Sequence, residues 1–300
     1  MSILVVGSVA YDDIITPFAS RQRALGGSAI YFSLAAQHFT PISMVAVIGD
    51  DFKQSDMRLL ESHRIDTTGL IRESGPCFYW KGEYLGNWND RITHATHLNV
   101  FEHFNPVIPH DYRKAEIVFL GNIAPELQNK VLDQVEHPRI VALDTMNYWI
   151  SHAKEALIET LRRVNILIVN DSEARLLSGE QSIIEAARTI RAMGPTILCI
   201  KRGEHGALLW YDDQVFVAPA YPMCEVVDPT GAGDSFAGGF LGYLARQKLD
   251  IHALRRAVVH GSVMGSFTVE SFSVDRLAAI GTDDVNKRYQ AFVDMTHFDR

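Results

Sequence analysis

Residues 228–239 read DPTGAGDSFAGG. They follow a segment of strand-like composition at 224–227 and precede a helical pattern that continues to residue 246. A glycine-rich turn at residues 230–233 therefore opens a predicted helix. Because glycine lets consecutive backbone N–H groups point into one concavity, and the helix dipole adds partial positive charge there, this turn predicts an anion-binding site.

A carboxylate stands directly beside this predicted anion site. Asp234 lies in the first turn of the predicted helix, where it can accept a proton from an attacking hydroxyl group. Phosphoryl transfer depends mainly on positioning and charge stabilisation, so the pattern favours a phosphotransferase. The alternative is a structural turn in which Asp234 only complements the helix dipole.

Two other glycine-loop motifs do not fit the spacing. A dinucleotide-binding fingerprint, counted from Gly231, would need glycine where Phe236 stands. A Walker A loop would need a lysine after its last glycine, and none follows Gly238 or Gly239. The missing fingerprint disfavours an NAD-dependent oxidoreductase.

Short apolar runs alternate with amphipathic segments over most of the chain. Strands are predicted at 3–9, 42–48, 117–120, 140–143, 166–169, 197–200, 207–211 and 215–218, and helices at 29–39, 53–63, 126–135, 153–164, 182–193, 234–246 and 251–268. Such alternation with uniformly apolar strands predicts one domain over residues 1–300, a three-layer α/β/α core around a mostly parallel sheet.

Residues 76–104 break this alternation. They are rich in aromatic and β-branched residues and show no helical period, so they predict extended strands of a smaller sheet. With residues of about 11–25 they are expected to form a β-sheet lid beside the main sheet. A β-excursion with only a packing role is the alternative.

Composition narrows the class of protein further. The chain has 300 residues and a formal net charge of −8, which disfavours nucleic acid or an acidic membrane surface as a partner. Cys77, Cys199 and Cys224 are sparse and form no CxxC pair, as expected of reduced cytoplasmic thiols. Residues 1–10 read as a buried strand rather than a signal peptide, and no apolar run is long enough for a membrane span.

Other polar clusters favour structural roles. His94 and His97, with His103 nearby, lie on predicted extended structure, where a spacing of three does not bring side chains together for zinc. Asp50 and Asp51 are predicted to cap the helix that begins near residue 53.

Several of these segments together resemble the ribokinase-like, or PfkB, family of carbohydrate and nucleoside kinases. Residues 228–234 are similar to its D-T-x-G-A-G-D core, GSVAYD at 7–12 to its first strand, and GGS at 26–28 to its di-glycine motif. VNDSE at 169–173 resembles its N-x-x-E motif, and KRGEHG at 201–206 its nucleotide loop. The resemblance covers residues 3–273 and implies a ribokinase-like core with a β-lid.

The resemblance implies a role for each matching residue. Asp234 would deprotonate the acceptor, and the amides of Gly231, Ala232 and Gly233 would hold the phosphoryl group. Glu173 would act on Mg²⁺ through water, and Asp228 with Thr230 would hold a monovalent cation such as K⁺. The ATP-binding set would be Asn170, Glu173, Lys201, Gly203, Gly206, Thr230 and His260. The acceptor-binding set would be Asp12, at the end of the first strand, with Gly26, Gly27, Ser28, Tyr31, Trp80, Asn122 and Asp144.

Two departures from the family's pattern concern the acceptor. Tyr31 replaces an asparagine found in many sugar kinases, and DTMNYW at 144–149 lacks the arginine that would hold a phosphate on the substrate. The aromatic residues of the lid could stack on a nucleobase or a sugar face, or could pack within the lid or against a second copy, as in a homodimer. They are Phe78, Trp80, Tyr84 and Trp88.

The expected activity is transfer of the γ-phosphoryl group of ATP to a hydroxymethyl group of a ribose-like sugar or nucleoside. A kinase of another sugar or polyol, such as an inositol or a keto-sugar, is the alternative. A non-catalytic ligand-binding relative is a third possibility, although such a protein has no chemical need for Asp234.

Overall fold

The computed structural model describes residues 2–86, 88 and 91–297. Within this part of the chain a central sheet lies between two layers of helices, and a second, smaller sheet stands beside it. In chain order the strands are β1 (Ile3–Val6), β2 (Ala10–Ile15), β3 (Ser20–Gly26), β4 (Ile42–Ile48), β5 (Ile65–Arg72), β6 (Phe78–Tyr84), β7 (Arg91–His97), β8 (Ile117–Leu120), β9 (Ile140–Leu143), β10 (Ile166–Asn170), β11 (Ile197–Lys201), β12 (Ala207–Tyr211) and β13 (Gln214–Ala218).

The central sheet has nine described strands in the order β13-β12-β11-β10-β9-β8-β1-β4-β5. The neighbours from β11 to β5 run parallel, whereas β12 and β13 pair antiparallel at one edge. The carboxyl ends of the parallel strands therefore meet at one edge of the sheet, where ligands gather in open α/β folds. The predicted three-layer, mostly parallel core is confirmed.

Both faces of the central sheet are buried, which explains why its strands are apolar without alternation. In β1, Ile3 and Val5 join one hydrophobic cluster, and Leu4 and Val6 join the other. Helices α1, α2 and α8 to α11 cover the first face, and α3 to α7 cover the second. The helices are α1 (Ser28–Ala36), α2 (Gln54–Ser62), α3 (Pro125–Leu132), α4 (Asn147–His152), α5 (Lys154–Leu161), α6 (Asp171–Ser178), α7 (Ile183–Ala192), α8 (Ala232–Leu244), α9 (Ile251–Thr268), α10 (Asp275–Ala279) and α11 (Thr282–Thr296).

The smaller sheet consists of β3, β2, β6 and β7 in that order, and we call it the lid. Strand β2 pairs antiparallel with β3 and parallel with β6, which pairs antiparallel with β7. One face of the lid packs Ile14, Ala24 and Tyr84 against Phe272 of the core. The predicted lid sheet is thus confirmed, although its second segment ends in a short 3₁₀ helix, Asn99–His103, rather than in strand.

Several predicted elements are wrong in detail. Residues 224–227 form no strand, because the chain there is irregular backbone before α8. The periodicity predicts α9 as the last helix, but α10 and α11 follow it. Asp12 does not end the first strand: β1 stops at Val6, and Asp12 lies within β2 of the lid.

Asp50 and Asp51 do not cap α2, whose first residue follows Lys53 without a side-chain cap. Asp50 instead accepts a hydrogen bond from the Gly75 backbone at 2.9 Å, and Asp51 accepts one from the Cys77 backbone at 2.7 Å. The two carboxylates therefore fasten the chain that enters β6. Among the described residues, no helix combines the length and apolar character that crossing a membrane requires.

Candidate active site

The carboxyl ends of β10 and β11 bring the predicted nucleotide residues together. Asn170 and Lys201 end these two strands and are direct neighbours in the sheet register. Lys201 Nζ lies 3.2 Å from a carboxylate oxygen of Asp144, which follows β9. Burial disfavours the charge of Lys201, but Asp144, Glu173 and Asp234 more than offset this and raise its pKa. Lys201 therefore remains a cation at this edge.

A capping box at the start of α6 fixes the N-x-x-E motif. The Asn170 side chain accepts a hydrogen bond from the Glu173 backbone, and the Glu173 carboxylate accepts one from the Asn170 backbone, both at 2.8 Å. Burial and the nearby Asp144 raise the pKa of Glu173, while Lys201 lowers it. The motif thus holds a buried carboxylate beside Lys201.

The loop after β11 turns sharply at two glycines. Gly203 and Gly206 both have positive φ, 54° and 80°, and a Cβ at Gly206 would lie 2.0 Å from the Ala218 carbonyl oxygen. A side chain at Gly206 is therefore excluded. This geometry explains the glycine spacing of the predicted nucleotide loop.

The predicted glycine turn begins α8. Gly231 is the N-cap with a φ of 77°, Ala232 is the first helical residue, and Asp234 lies in the first turn. A Cβ at Gly233 would lie 2.9 Å from Lys201 Nζ, so the lysine reaches across to the turn from β11. The glycine turn (Gly231, Ala232 and Gly233), Asp234 and Lys201 thus meet in one place.

Asp234 has the electrostatic environment of a general base. Burial and, next, the charge of Asp144 raise its pKa above the ordinary range, while Lys201 and Arg91 lower it. A carboxylate with a raised pKa holds a proton more readily than an exposed aspartate does. Its position in the first turn of α8 places this basicity next to the amides of the glycine turn.

Asp12 faces the same region from the lid. Asp12 is 5% exposed, and a Cβ at Gly26 would lie 2.1 Å from its carboxylate. Only glycine at position 26 therefore lets the Asp12 carboxylate lie this close to the backbone of β3. Burial, followed by the charges of Asp228, Asp234 and Asp13, raises the pKa of Asp12 to about 8. Near neutral pH its carboxyl group can therefore donate as well as accept hydrogen bonds.

The rest of the di-glycine motif shapes the backbone. Gly27 has a φ of 98°, and a Cβ there would lie 2.4 Å from the Ser8 carbonyl oxygen. The Ser28 backbone donates to Ser8 Oγ at 3.0 Å, and the Ser8 backbone donates to Ser28 Oγ at 3.1 Å. Ser28 is thus tied to the chain leaving β1 and is 5% exposed.

Tyr31 does not present its ring to a ligand, contrary to the acceptor-binding role that the resemblance implied. The residue is 1% exposed, and a Cβ at Gly231 would lie 2.3 Å from the ring carbons. The ring therefore lies against the glycine turn. Its buried hydroxyl has no hydrogen-bond partner among the described residues, and its pKa is raised by burial and by the acids Asp228 and Asp12.

Asn122 and His260 are engaged by neighbouring side chains. The Asn122 amide accepts a hydrogen bond from Trp149 at 3.0 Å and donates one to the Met146 sulfur at 3.1 Å. The His260 ring lies between the rings of Tyr243 and Tyr289, with centroids 4.4 and 4.2 Å away. Both faces of this imidazole are covered, so it offers none to an adenine.

Asp228 and Thr230 belong to a chain of hydrogen bonds that joins the glycine turn to both halves of the lid. Asp228 accepts from the Thr230 backbone at 2.9 Å and from the Ser273 backbone at 3.3 Å. Ser273 Oγ donates to the Leu25 carbonyl oxygen of β3 at 2.6 Å, and Thr230 Oγ1 lies 3.1 Å from the Tyr84 hydroxyl of β6. Sequence reasoning missed Ser273 because no motif includes it.

The lid aromatics divide into different environments. Phe78 stacks on Phe101 at 5.2 Å and packs the base of the lid. Trp80 and Trp88 are partly buried beside Tyr84, and Trp80 donates to Thr93 at 3.2 Å. Both indoles keep part of their surface exposed while packing against the cluster that contains Tyr84.

Arg91 is a second residue that sequence reasoning missed. It begins β7, and its charge lowers the pKa of Asp12, Glu173 and Asp234, each of which burial raises first. In the sequence it is one of many arginines, without a motif around it. Only the pairing of β6 with β7 brings it to the site.

This arrangement fits a magnesium nucleotide. The glycine turn forms the N-terminus of α8, and Lys201 Nζ borders it at Gly233, so backbone donors and a positive charge lie together, as binding of a phosphate group requires. Glu173 supplies the hard carboxylate oxygen that hydrated Mg²⁺ prefers. The observed donors therefore match both parts of the ligand.

The sequence matches the pfkB family carbohydrate kinase over residues 2–275. The cytidine kinase of Thermococcus kodakarensis is 30% identical over 252 residues, which cover 82% of this chain and 89% of that protein. This chain belongs to the pfkB family. It is accordingly a phosphotransferase with an alcohol group as acceptor, in the class of carbohydrate and nucleoside kinases.

Solved structures agree with this assignment at the level of the fold. The nucleoside kinase of Methanocaldococcus jannaschii superposes with a TM-score of 0.79 at 22% identity, covering 97% of this chain and 98% of that one. An E. coli protein solved with ATP and Mg²⁺ superposes with a TM-score of 0.78 at 17% identity, covering 97% and 99%. The fold is therefore the ribokinase-like α/β fold.

Proposed function

We propose that this pfkB protein is an ATP-dependent nucleoside kinase that phosphorylates the hydroxymethyl group of a ribose moiety. The observation that carries the proposal is the convergence of Asp234, the glycine turn and Lys201, with Asp12 facing them from the lid. A base, an anion site and an acceptor-side carboxyl group are the parts that phosphoryl transfer to an alcohol requires.

Asp234 acts as the general base in this proposal. It takes the proton of the acceptor hydroxyl as that oxygen forms a bond to the γ-phosphorus, and the bond from the γ-phosphorus to the bridging oxygen of ADP breaks. The amides of Gly231 and Gly233 stabilise the charge on the transferring group, and Lys201 neutralises a neighbouring phosphate. The Ala232 amide, which the resemblance also implied, instead donates to the Pro229 carbonyl oxygen at 3.1 Å. The raised pKa of Asp234 supports the role of proton acceptor.

The nucleotide lies along the carboxyl ends of β10 and β11. Asn170 and Glu173 orient its triphosphate, and Gly203 and Gly206 let the backbone approach it closely. Mg²⁺, when bound, would supply positive charge that offsets the charge of the phosphate groups. Glu173 would hold that ion through water.

The acceptor lies between the lid and α1. Asp12 binds ribose hydroxyls, and Gly26 lets that carboxyl group approach the backbone. Trp80 or Trp88 covers the nucleobase, whose stacking on an indole is worth roughly 0.5–1.5 kcal/mol beyond burial. The names of the relatives, a cytidine kinase and a nucleoside kinase, support this choice of acceptor over a free sugar.

A panel of acceptors tests the proposal. ATP consumption would be measured with purine and pyrimidine nucleosides and with free ribose, a keto-sugar and an inositol. We expect kcat/KM to be highest for a nucleoside. A preference for a free sugar or polyol would contradict the nucleoside assignment, and no consumption with any acceptor would favour a non-catalytic relative.

We further propose that Asp228 and Thr230 border a monovalent-cation site beside the glycine turn. Asp228 is 1% exposed, so its carboxylate is a buried negative charge beside the glycine turn. A buried negative charge is what a monovalent cation would offset, and this supports the proposal. Replacing K⁺ by tetramethylammonium at constant ionic strength should lower kcat. Equal activity in both salts would contradict a cation role.

We also propose that the lid pairs with the lid of a second copy. Phe18, Leu85 and Ile92 are 74%, 57% and 43% exposed on it, an apolar surface that a partner would cover. Light scattering should then give twice the mass of the chain, and Phe18→Asp should reduce it. A monomer at all concentrations would contradict this pairing.

A further inference from the structure

The lid contacts the chain at the glycine turn through Tyr84. This residue ends β6, is 5% exposed, and its hydroxyl lies 3.1 Å from Thr230 Oγ1. Thr230 directly precedes Gly231, the N-cap of α8. The end of β6 is therefore held against the glycine turn.

Arg91 lies directly opposite Tyr84 in the antiparallel register of β6 and β7. Directly opposite residues of an antiparallel pair extend from the same face of the sheet, with Cβ atoms roughly 5 Å apart. Arg91 Cζ lies 5.8 Å from the ring centroid of Trp80, which stands four residues before Tyr84 on the same face. The guanidinium group is thus on the side of the lid that faces the site.

The site carries more negative than positive charge, and this makes the position of Arg91 important. Five acidic side chains surround it, whereas Lys201 is already paired with Asp144 at 3.2 Å. Arg91 is exposed, and its side chain makes no hydrogen bond or ion pair within the described part of the chain, so its guanidinium donors are available. The acidic residues are Asp12, Asp144, Glu173, Asp228 and Asp234.

The effect of the Arg91 charge on the pKa values of nearby acids also supports this position of Arg91 beside the site. Burial raises the pKa of Asp12, Glu173 and Asp234, and Arg91 is among the groups that lower it in all three. These acids lie on three separate elements, β2, α6 and α8. The charge of Arg91 therefore reaches carboxylates on all three of these elements.

We propose that Arg91 is a catalytic residue, carried by the lid, that binds the transferring phosphoryl group. The inference rests on the proposed kinase activity. The acceptor oxygen forms its bond to the γ-phosphorus, the bond to ADP breaks, and the acceptor proton goes to Asp234. Arg91 donates hydrogen bonds to the oxygens of the group in flight, from the side opposite the glycine turn.

The test compares Arg91→Ala and Arg91→Lys with Lys81→Ala. Lys81 lies next to Trp80 on β6 and points to the other face of the lid, so it is a matched lid cation. With ATP and the best nucleoside, Arg91→Ala should lower kcat by roughly 10²–10³-fold, as loss of a charge-stabilising donor does, with little change in the KM for ATP. Lys81→Ala should behave as the wild type, and Arg91→Lys should retain part of kcat.

Two further readouts separate catalysis from lid structure. Guanidinium ion at millimolar concentration should restore part of the kcat of Arg91→Ala and not affect Lys81→Ala. Removing the cation should also raise the pKa of Asp234, so the acid limb of the kcat profile should move to higher pH.

Three results would overturn the inference. Arg91→Ala could retain the wild-type kcat, or lose kcat with neither rescue nor a shifted acid limb, which would make Arg91 structural. A loss seen only with phosphorylated acceptors would assign Arg91 to a phosphate on the acceptor. A wild type that phosphorylates nothing contradicts the proposed function itself, whereas an active wild type with an equally active Arg91→Ala contradicts this inference alone.

Discussion

The ring of Tyr31 lies flat against the backbone of Gly231. A Cβ at Gly231 would lie 2.3 to 2.4 Å from Cγ, Cδ1 and Cδ2 of the ring, well inside van der Waals contact. Tyr31 belongs to α1, which begins at the di-glycine motif, and Gly231 begins α8. The acceptor-side helix therefore supports the glycine turn directly.

Gly231→Ala should disrupt the turn for two separate reasons. The residue has a φ of 77°, and forcing a non-glycine residue into that region costs roughly 1–3 kcal/mol. The added methyl group would also displace the Tyr31 ring. We expect a lower free energy of unfolding, measured by urea denaturation, and a large loss of kcat.

Gly179→Ala is the matched control for this variant. Gly179 follows α6 with a φ of 79°, and a Cβ there meets nothing within 4 Å. It carries the same backbone strain without the clash, so it should lose stability and keep its activity. Equal kcat values for the two variants would mean that the contact with Tyr31 does not shape the turn.

Asp234→Asn should abolish most of the turnover while leaving the fold and nucleotide binding in place. The amide keeps the shape of the side chain but cannot take the acceptor proton, and a positioned general base contributes typically 10²–10⁴-fold. Steady-state kinetics would give kcat, and calorimetry would give the affinity for the nucleotide. Near-normal turnover would remove Asp234 from the role of base.

Much of this site could be predicted because its parts follow strands whose apolar runs are easy to recognise. Asn170 and Lys201 end such strands, so their meeting follows from the parallel sheet. The position of Asp12 could not be predicted in the same way, because the chain leaves β1 at Val6 and re-enters a different sheet at Ala10.

Side-chain directions were a second limit of the sequence. The sequence shows an aromatic residue at position 31 but not the direction of its ring. Only tertiary packing decides whether that ring faces a ligand or the glycine turn. Arg91 and Ser273 act through strand pairing and a loop contact that no local pattern encodes.

The pH dependence of turnover should reflect the raised pKa of Asp234. A general base acts in its ionised form, so kcat/KM should fall as pH decreases through a pKa above the usual value of about 3.9. Burial is the main cause of the raised pKa of Asp234, and the charge of Asp144 raises it further, whereas Lys201 and Arg91 lower it. Asp12 faces the same region from the lid.

Asp144→Asn tests the sign of this effect. It removes a negative charge near Asp234 and leaves Lys201 without its paired anion, and both changes favour the ionised base. The acid limb should therefore move to lower pH, whereas Lys201→Met should move it to higher pH. Shifts in the same direction for both variants would contradict the electrostatic account.

Trp80→Ala should weaken a nucleoside more than free ribose if the indole covers the base. The expected difference in kcat/KM between the two acceptors corresponds to roughly 0.5–1.5 kcal/mol of stacking. Phe78→Ala is the control on the same strand, because Phe78 packs against Phe101 at 5.2 Å instead. Parallel losses on both acceptors for Trp80→Ala would mean that the indole only packs the lid.

Asp12→Ala should raise the KM for the acceptor and leave the KM for ATP nearly unchanged. If the carboxyl group bonds ribose hydroxyls, its loss leaves them unpaired and weakens acceptor binding by about 1–3 kcal/mol. Asp12→Asn should weaken acceptor binding less than Asp12→Ala does. Its amide keeps one hydrogen-bond donor and one acceptor beside Gly26, as does the native carboxyl group, whose pKa is raised to about 8. Asp13→Ala is the matched control, since Asp13 is the next residue of β2 and instead accepts a hydrogen bond from the Arg23 backbone at 2.8 Å. Equal increases in both KM values for Asp12→Ala, or an equal effect of Asp13→Ala on the acceptor, would show that Asp12 supports the lid and does not contact the substrate.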